Sequence, residues 1–268
     1  MSDFLSFQLT DDFIELYSAL KPDWGFSIGG GNFLSELVYV NKYSALKDDG
    51  SKEQWYETCR RCVEGMYSIL KDHCKKNKTP WNDLKAQKSA RDAYDRMFHF
   101  KWTPPGRGLQ HMGREAIHSR QDSSFLQNCA FLTTAKLSAH SVWEATGPFT
   151  RMMEMSMCGI GVGFDTRGAN NLALHEPSLE KKDIFVVEDS REGWAEAIGV
   201  LLESYFFKNR NYVEFDYTQI RPSGALLKSF GGRASGPQPL IDCIERVRFL
   251  LGEREGEKLT SRDIVDVM

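Results

Sequence analysis

The apolar pattern of this chain changes period once, and that change constrains the fold more than any single motif. Up to about residue 120 apolar residues recur at helical spacing. From about residue 125 short apolar runs of strand length alternate with helical stripes. Strands separated by helices predict an α/β architecture with parallel pairing, because parallel neighbours need a long crossover and a helix commonly supplies it. The expected organisation is a mainly helical region over 1–120 followed by an α/β region over 121–268.

In the first region Gly29, Gly30 and Gly31 read as a flexible break. A helix is expected after Asp48-Asp49-Gly50, capped by Ser51 with Gln54 completing a capping box. Its apolar stripe runs through Trp55, Cys59, Cys62, Val63, Met66, Tyr67 and Leu70. Residues 82–100 read as a second helical stretch, and Trp102–Gly108, with its Pro-Pro-Gly run, as irregular. In the second region Phe125–Thr133 reads as a strand, Phe149–Met157 as a Met-rich helix running into a glycine loop, and Ile184–Val187 as a compact buried strand. Asp189 and Glu192 open a helix with Trp194, Ile198, Leu201, Leu202 and Tyr205 on one face. Tyr212–Tyr217 is a further strand, and Leu240 to Leu251 a further helix. Thr260-Ser261-Arg262-Asp263 starts a last helix, whose apolar Ile264, Val265 and Met268 predict continuation onto further sequence or a partner.

Composition excludes more than it selects. The 268 residues are 41% hydrophobic and 26% charged with a net charge of -3, and Lys and Arg are dispersed, so there is no electrostatic footprint for nucleic acid. The cluster at Lys71, Lys75, Lys76 and Lys78 reads as a solvated helix end. No apolar run reaches membrane-spanning length and the N-terminus lacks a signal-peptide pattern, which predicts a cytoplasmic protein. Six cysteines are too few for a disulfide scaffold. Cys59-x-x-Cys62 falls within a helical stripe and no second ligand pair follows at zinc spacing, so both are expected in the core.

Three segments bear chemistry. Asn128-Cys129 puts a thiol on a strand. Cys158-Gly159-Ile160-Gly161-Val162-Gly163-Phe164-Asp165 alternates glycine with apolar residues, letting backbone approach a ligand closely. A dinucleotide loop would need a preceding strand and a helix opening on the third glycine; here a helix precedes and none follows. Arg221-Pro222-Ser223-Gly224 and Lys228–Pro237 form a glycine-rich stretch that lacks the Gly-Lys-Ser/Thr order of a P-loop.

In this order and spacing, together with Val187–Trp194, the Asp48–Trp55 stretch and Pro104–Gly108, these segments resemble the monomeric, coenzyme-B12-dependent class of ribonucleotide reductase, from about residue 8 to the last residue. The resemblance implies a helical N-terminal region without an ATP cone, then the first half of a ten-stranded α/β barrel completed by another chain. It implies adenosylcobalamin as cofactor, a nucleotide substrate, a deoxynucleotide allosteric effector and a thioredoxin-like reductant. Cys129 matches the first cysteine of the redox pair. Asn128, Cys158, Gly159, Gly231, Gly232 and Ser235 match substrate-facing positions, and Phe164, Asp165 and Arg167 an effector-binding stretch. No metal ligand is implied. The radical cysteine, the second redox cysteine and the C-terminal cysteine pair are expected on a complementary C-terminal half. A catalytically inert, truncated nucleotide-binding homologue and an interrupted gene are the competing expectations. A glycyl-radical enzyme would show a cysteine pair and glycine loop of its own, which this sequence lacks.

Overall fold

The computed structural model describes residues 6–25, 33–47, 49–114, 117, 123–226 and 233–268. The chain divides into two compact units, residues 1–127 and 128–268.

The described part of the N-terminal unit is helical: α1 (Asp11–Ser18), α2 (Phe33–Lys42), α3 (Trp55–Lys76), α4 (Asp83–Phe98) and α5 (Gly106–His111), then a 3-10 turn at Ser123–Leu126. Helix α3 starts three residues later than its sequence suggests. Glu57 reaches back so that Gln54 N donates to its Oε2 at 2.7 Å, and this fixes Gln54 as the cap. Ser51 instead turns to Asp49, whose Oδ1 accepts from both its backbone N and its hydroxyl. The Pro104–Gly108 stretch is also less irregular than expected. Pro105 has a backbone suited to a helix entrance, and α5 begins directly after it.

Cys59 and Cys62 are fully buried one turn apart on α3, as their spacing predicts. Burial pushes both thiols up, Cys62 to about 11. Around them Tyr17 meets Tyr94 at 4.8 Å and Phe98 at 5.0 Å, and Trp55 stacks on Phe100 at 4.7 Å while its Nε1 donates to Phe98 O. Arg61 pins the following loop to α3. Its guanidinium forks onto Glu53 at 2.7 and 2.9 Å and also donates to Met112 O and Leu109 O. Behind it the chain passes so close to the helix that a Cβ on Gly65 would sit 2.6 Å from Gly113 N.

The second unit contains β1 (Cys129–Leu132), α6 (Val142–Met157), β2 (Gly161–Phe164), β3 (Ser178–Val186), α7 (Arg191–Phe206), β4 (Asn211–Asp216), α8 (Gln238–Gly252) and α9 (Ser261–Val267). Both strand pairs are parallel, as the alternation of strands and helices predicts: β1 with β2 and β3 with β4. Among the described residues they remain two separate two-stranded sheets, so the α/β class holds but no half-barrel is formed within them. Several boundaries move. The strand expected over Phe125–Thr133 is confined to Cys129–Leu132. Helix α6 begins at Val142, capped by the Ser141 hydroxyl, and contains Pro148. The glycine "loop" continues as strand β2. The compact buried strand at Ile184–Val187 belongs to a longer β3, offset in register after Ser178. Its outer face is open, so Ile184 is 72% exposed while Phe185 packs inward and Val187, just past the strand, is buried.

The core of this unit gathers Phe149 of α6, Ile198, Leu201 and Leu202 of α7, Leu240, Ile244 and Leu251 of α8, and Ile264 of α9. The half-buried Cys243 packs against it, and burial pushes that thiol up. Residues 170–174 run antiparallel to 256–259, with Asn170 N donating to Leu259 O at 2.7 Å and Leu259 N to Leu172 O at 2.9 Å. Helix α9 is capped by Thr260, whose backbone N donates to Asp263 Oδ2. Of the apolar residues on this helix, Ile264 is fully buried in its own unit, whereas Val265 is 52% exposed.

Two measurements test the N-terminal unit. Burial, with the Arg114, Arg107 and Arg61 charges nearby, lowers His111 to about 4. The same group in an unfolded chain titrates near ~6.5, so unfolding takes up a proton between those values. Stability is whole above about pH 6.5 and falls as pH drops toward 4; His111→Gln is expected to flatten that slope in thermal melts. Gly65→Ala drives a methyl into the Gly113 backbone and is expected to cost about 1–3 kcal/mol in chemical denaturation.

Candidate active site

The site expected around Cys129 is built on the β1–β2 pair. Leu132 at the end of β1 is buried, and by the two-residue period of a strand Cys129 and Phe131 point to the opposite face. Cys129 is exposed, and Phe131 is 65% exposed. The register sets Cys129 beside Gly161 and Phe131 beside Gly163, and residues in register share a face. That face therefore carries a thiol and a phenyl ring on one strand and bare backbone on the other. A Cβ on Gly161 would meet nothing among the described residues nearer than Asn128 O at 3.7 Å.

Asn128, immediately before the strand, is exposed, and its carbonyl accepts from Gly161 N at 2.9 Å. Cys158 closes α6 and Gly159 makes the turn into β2. The turn places Gly159 at φ +71°, where a side chain would be strained. Cys158 is buried, with Arg191 Nη1 2.6 Å from its sulfur. These four residues, Asn128, Cys129, Cys158 and Gly159, therefore lie at the amino-terminal end of the pair.

The other candidates lie elsewhere. Phe164 ends β2 opposite Leu132, with Asp165 and Arg167 just beyond, at the carboxyl-terminal end of the strands. Asp165 accepts from Thr134 N at 2.9 Å, Thr133 Oγ1 at 2.8 Å and Arg167 Nε at 2.8 Å. Although partial burial opposes it, these bonds hold the Asp165 carboxyl well below the usual carboxylate range. Ser235 lies ahead of α8 with its hydroxyl turned to Gly236 O, and among the described residues it makes no hydrogen bond to β1 or β2. Gly231 and Gly232 fall outside the described residues.

Sequence reasoning passed over Thr133, Thr134 and Arg191. The adjacent threonines at a strand end were the available signal for the first two, since hydroxyls there commonly bind a nearby backbone or carboxylate. It also missed that two motifs meet, because Arg221 Nε donates to Asp189 Oδ2 at 2.6 Å. Asp189 is free for this because Ser190, one residue later, caps α7 by accepting from Gly193 N. Among the described residues no group of three or more His, Cys, Asp or Glu could hold a metal, and no helix is long and apolar enough to cross a membrane. A recess of about 820 Å3 between α1 and α3 contains none of the expected residues. Its Arg60 is spent on Asp11 and Glu64 at 2.9 and 2.8 Å.

Two family models match this chain. One describes the ribonucleotide reductase alpha domain and covers residues 9–114; the other describes the insertion domain of B12-dependent ribonucleotide reductase and covers residues 166–251. The chain belongs to the ribonucleotide reductases. Within them it corresponds to the N-terminal part of the adenosylcobalamin-dependent class, as its relatives indicate. It is 39% identical over 278 residues to a probable adenosylcobalamin-dependent ribonucleoside-triphosphate reductase of Dictyostelium discoideum. It is 38% identical over 264 residues to an adenosylcobalamin-dependent ribonucleoside-triphosphate reductase of Euglena gracilis. Each alignment covers 98% of this chain, which spans only 35% of the length of either relative. The fold is shared with a crystal structure of B12-dependent (class II) ribonucleotide reductase at a TM-score of 0.77 and 23% identity, covering 97% of this chain and 42% of that one.

The exposure pattern makes a direct expectation. Mass spectrometry after brief iodoacetamide treatment of the native protein should find Cys129 modified first among the six cysteines, with Cys59, Cys62 and Cys158 protected until denaturation.

Proposed function

We propose that this chain supplies part of the nucleotide-reducing site of an adenosylcobalamin-dependent ribonucleoside-triphosphate reductase, with Cys129 as one thiol of its redox pair. The observation that carries this reading is the exposed thiol at the head of β1, facing a bare glycine backbone across the strand pair. Reduction at the 2′-carbon replaces a hydroxyl by hydrogen and releases water, which takes two electrons and two protons. Cys129 and a second cysteine give both by closing a disulfide, and a thioredoxin-like dithiol reopens it. Adenosylcobalamin, named for the relatives, would supply radical chemistry when bound to the complete reductase. The Cys129 face offers only a thiol, a phenyl ring and backbone, so no residue of this chain is assigned to the cofactor. The radical cysteine and the second redox cysteine lie on the remaining part of the reductase, whether continuous with this chain or a separate C-terminal half.

Asn128, Cys158 and Gly159 are the substrate-side residues nearest Cys129 along the strand pair, and Gly231, Gly232 and Ser235 complete the set by resemblance. Phe164, Asp165 and Arg167, at the opposite end of the strands, form the side that meets a deoxynucleotide effector. Arg167, 68% exposed in its side chain, is the group there suited to a phosphate.

The test is turnover of a ribonucleoside triphosphate by the complete reductase with adenosylcobalamin and a dithiol. Deoxynucleotide is expected from the wild type. Cys129→Ser should abolish multiple turnover while nucleotide affinity stays within a few-fold, because the lost thiol acts after binding. Nucleotide binding without any turnover by the wild type would favour the inert homologue instead.

A further inference from the structure

Asp165 belongs by resemblance with residues that meet a ligand, yet its oxygens are already engaged. Oδ1 accepts from Thr134 N at 2.9 Å, Thr134 Oγ1 at 2.9 Å and Arg167 N at 3.2 Å. Oδ2 accepts from Thr133 Oγ1 at 2.8 Å and from Arg167 Nε at 2.8 Å, with Nη2 at 2.7 Å. A carboxylate has about four lone-pair sites, so this one has no acceptor capacity to spare. The donors come from both sides of the strand pair. Thr133 and Thr134 directly follow β1, whereas Asp165 directly follows β2 and its backbone N makes the last rung to Leu132 O at 3.3 Å.

Thr134 is the other half of the knot. It is fully buried, and its hydroxyl also lies 3.0 Å from Asp165 O and accepts from Gly168 N at 2.9 Å. Gly168 packs so tightly on Thr134 O that a Cβ there has no room. Three side chains, Thr133, Thr134 and Asp165, thus close the carboxyl-terminal end of a pair whose strands are only four residues long.

We propose that Asp165 is a positioning residue: through Thr133 and Thr134 it locks β1 to β2 and so fixes the strand that presents Cys129, while leaving Arg167 as the outward-facing group of the cluster. The proposal rests on the reading of Cys129 as the working thiol. The lock itself is testable without turnover.

The test is hydrogen exchange with mass spectrometry on the complete protein, together with the iodoacetamide rate at Cys129, for Asp165→Asn, Thr134→Val and Thr134→Ser. Loss of a hydrogen bond to a charged group should speed amide exchange in β1 and β2 by about tenfold or more. The Cys129 alkylation rate should change with it, while the amides of α7 and α8 keep wild-type protection. Thr134→Ser, which retains the hydroxyl, should behave as wild type. Unchanged exchange in β1 and β2, or an equal loss of protection across α7 and α8, overturns the proposal. Should Asp165→Asn not fold, the contrast between Thr134→Val and Thr134→Ser decides between the same two outcomes. A wild type without reductase activity whose variants still open β1 selectively would sink the functional reading and leave the lock standing.

Discussion

Strands β1 and β2 lie parallel over four residues each, and such a short ladder contributes little by itself. Parallel neighbours cannot be joined by a tight turn, and here the connection is α6 with its flanking loops. The connection begins from the hydrogen-bonded knot at Thr133 and Thr134 and returns through the Gly159 turn, and Leu132 buries the side of β1 opposite Cys129. The presentation of the thiol thus depends on elements at both ends of a ladder too weak to hold it unaided.

The helical unit solves a similar problem with a different device. Glu53 and Arg61 are both largely buried, and charges in that setting are costly unless every donor and acceptor is used. Arg61 uses its guanidinium on Glu53 and on two loop carbonyls, and Glu53 also accepts from Thr58 Oγ1 at 2.8 Å. The carboxyl of Glu53 stays below its ordinary range because these bonds outweigh its burial. The loop is thereby held at its carbonyls as well as by the burial of Leu109 and His111.

Much of this was legible in the sequence because periodicity reports burial. The stripe from Trp55 through Val63, the paired cysteines of α3, the α7 face with Ile198 and Leu201, and the α8 face with Ile244 all read correctly as core. Boundaries were harder, because caps are decided by competition between neighbouring polar side chains. Ser51 and Asp189 are each plausible starts, and Gln54 and Ser190 take the capping places. The glycine run was read as a loop because glycine disfavours strands in general, yet pairing with β1 overrides that preference. Ile184 was read as buried because an apolar run cannot reveal that one face of its sheet is open. The site itself was legible only in part. Cys129 and Asn128 stood out by resemblance, while the Thr134–Asp165 bond spans 31 residues and has no local signature.

Gly161 sets stability against use. Its backbone is not in the left-handed region, and the space beside it would accept a methyl group. Glycine within a strand forgoes about 0.5–1 kcal/mol relative to alanine. A laboratory selection for heat resistance alone would accordingly be drawn to this position, because nothing in the surrounding backbone resists the exchange. Natural sequences need only clear a threshold of stability, so a strand can keep a small weakness beside an exposed thiol.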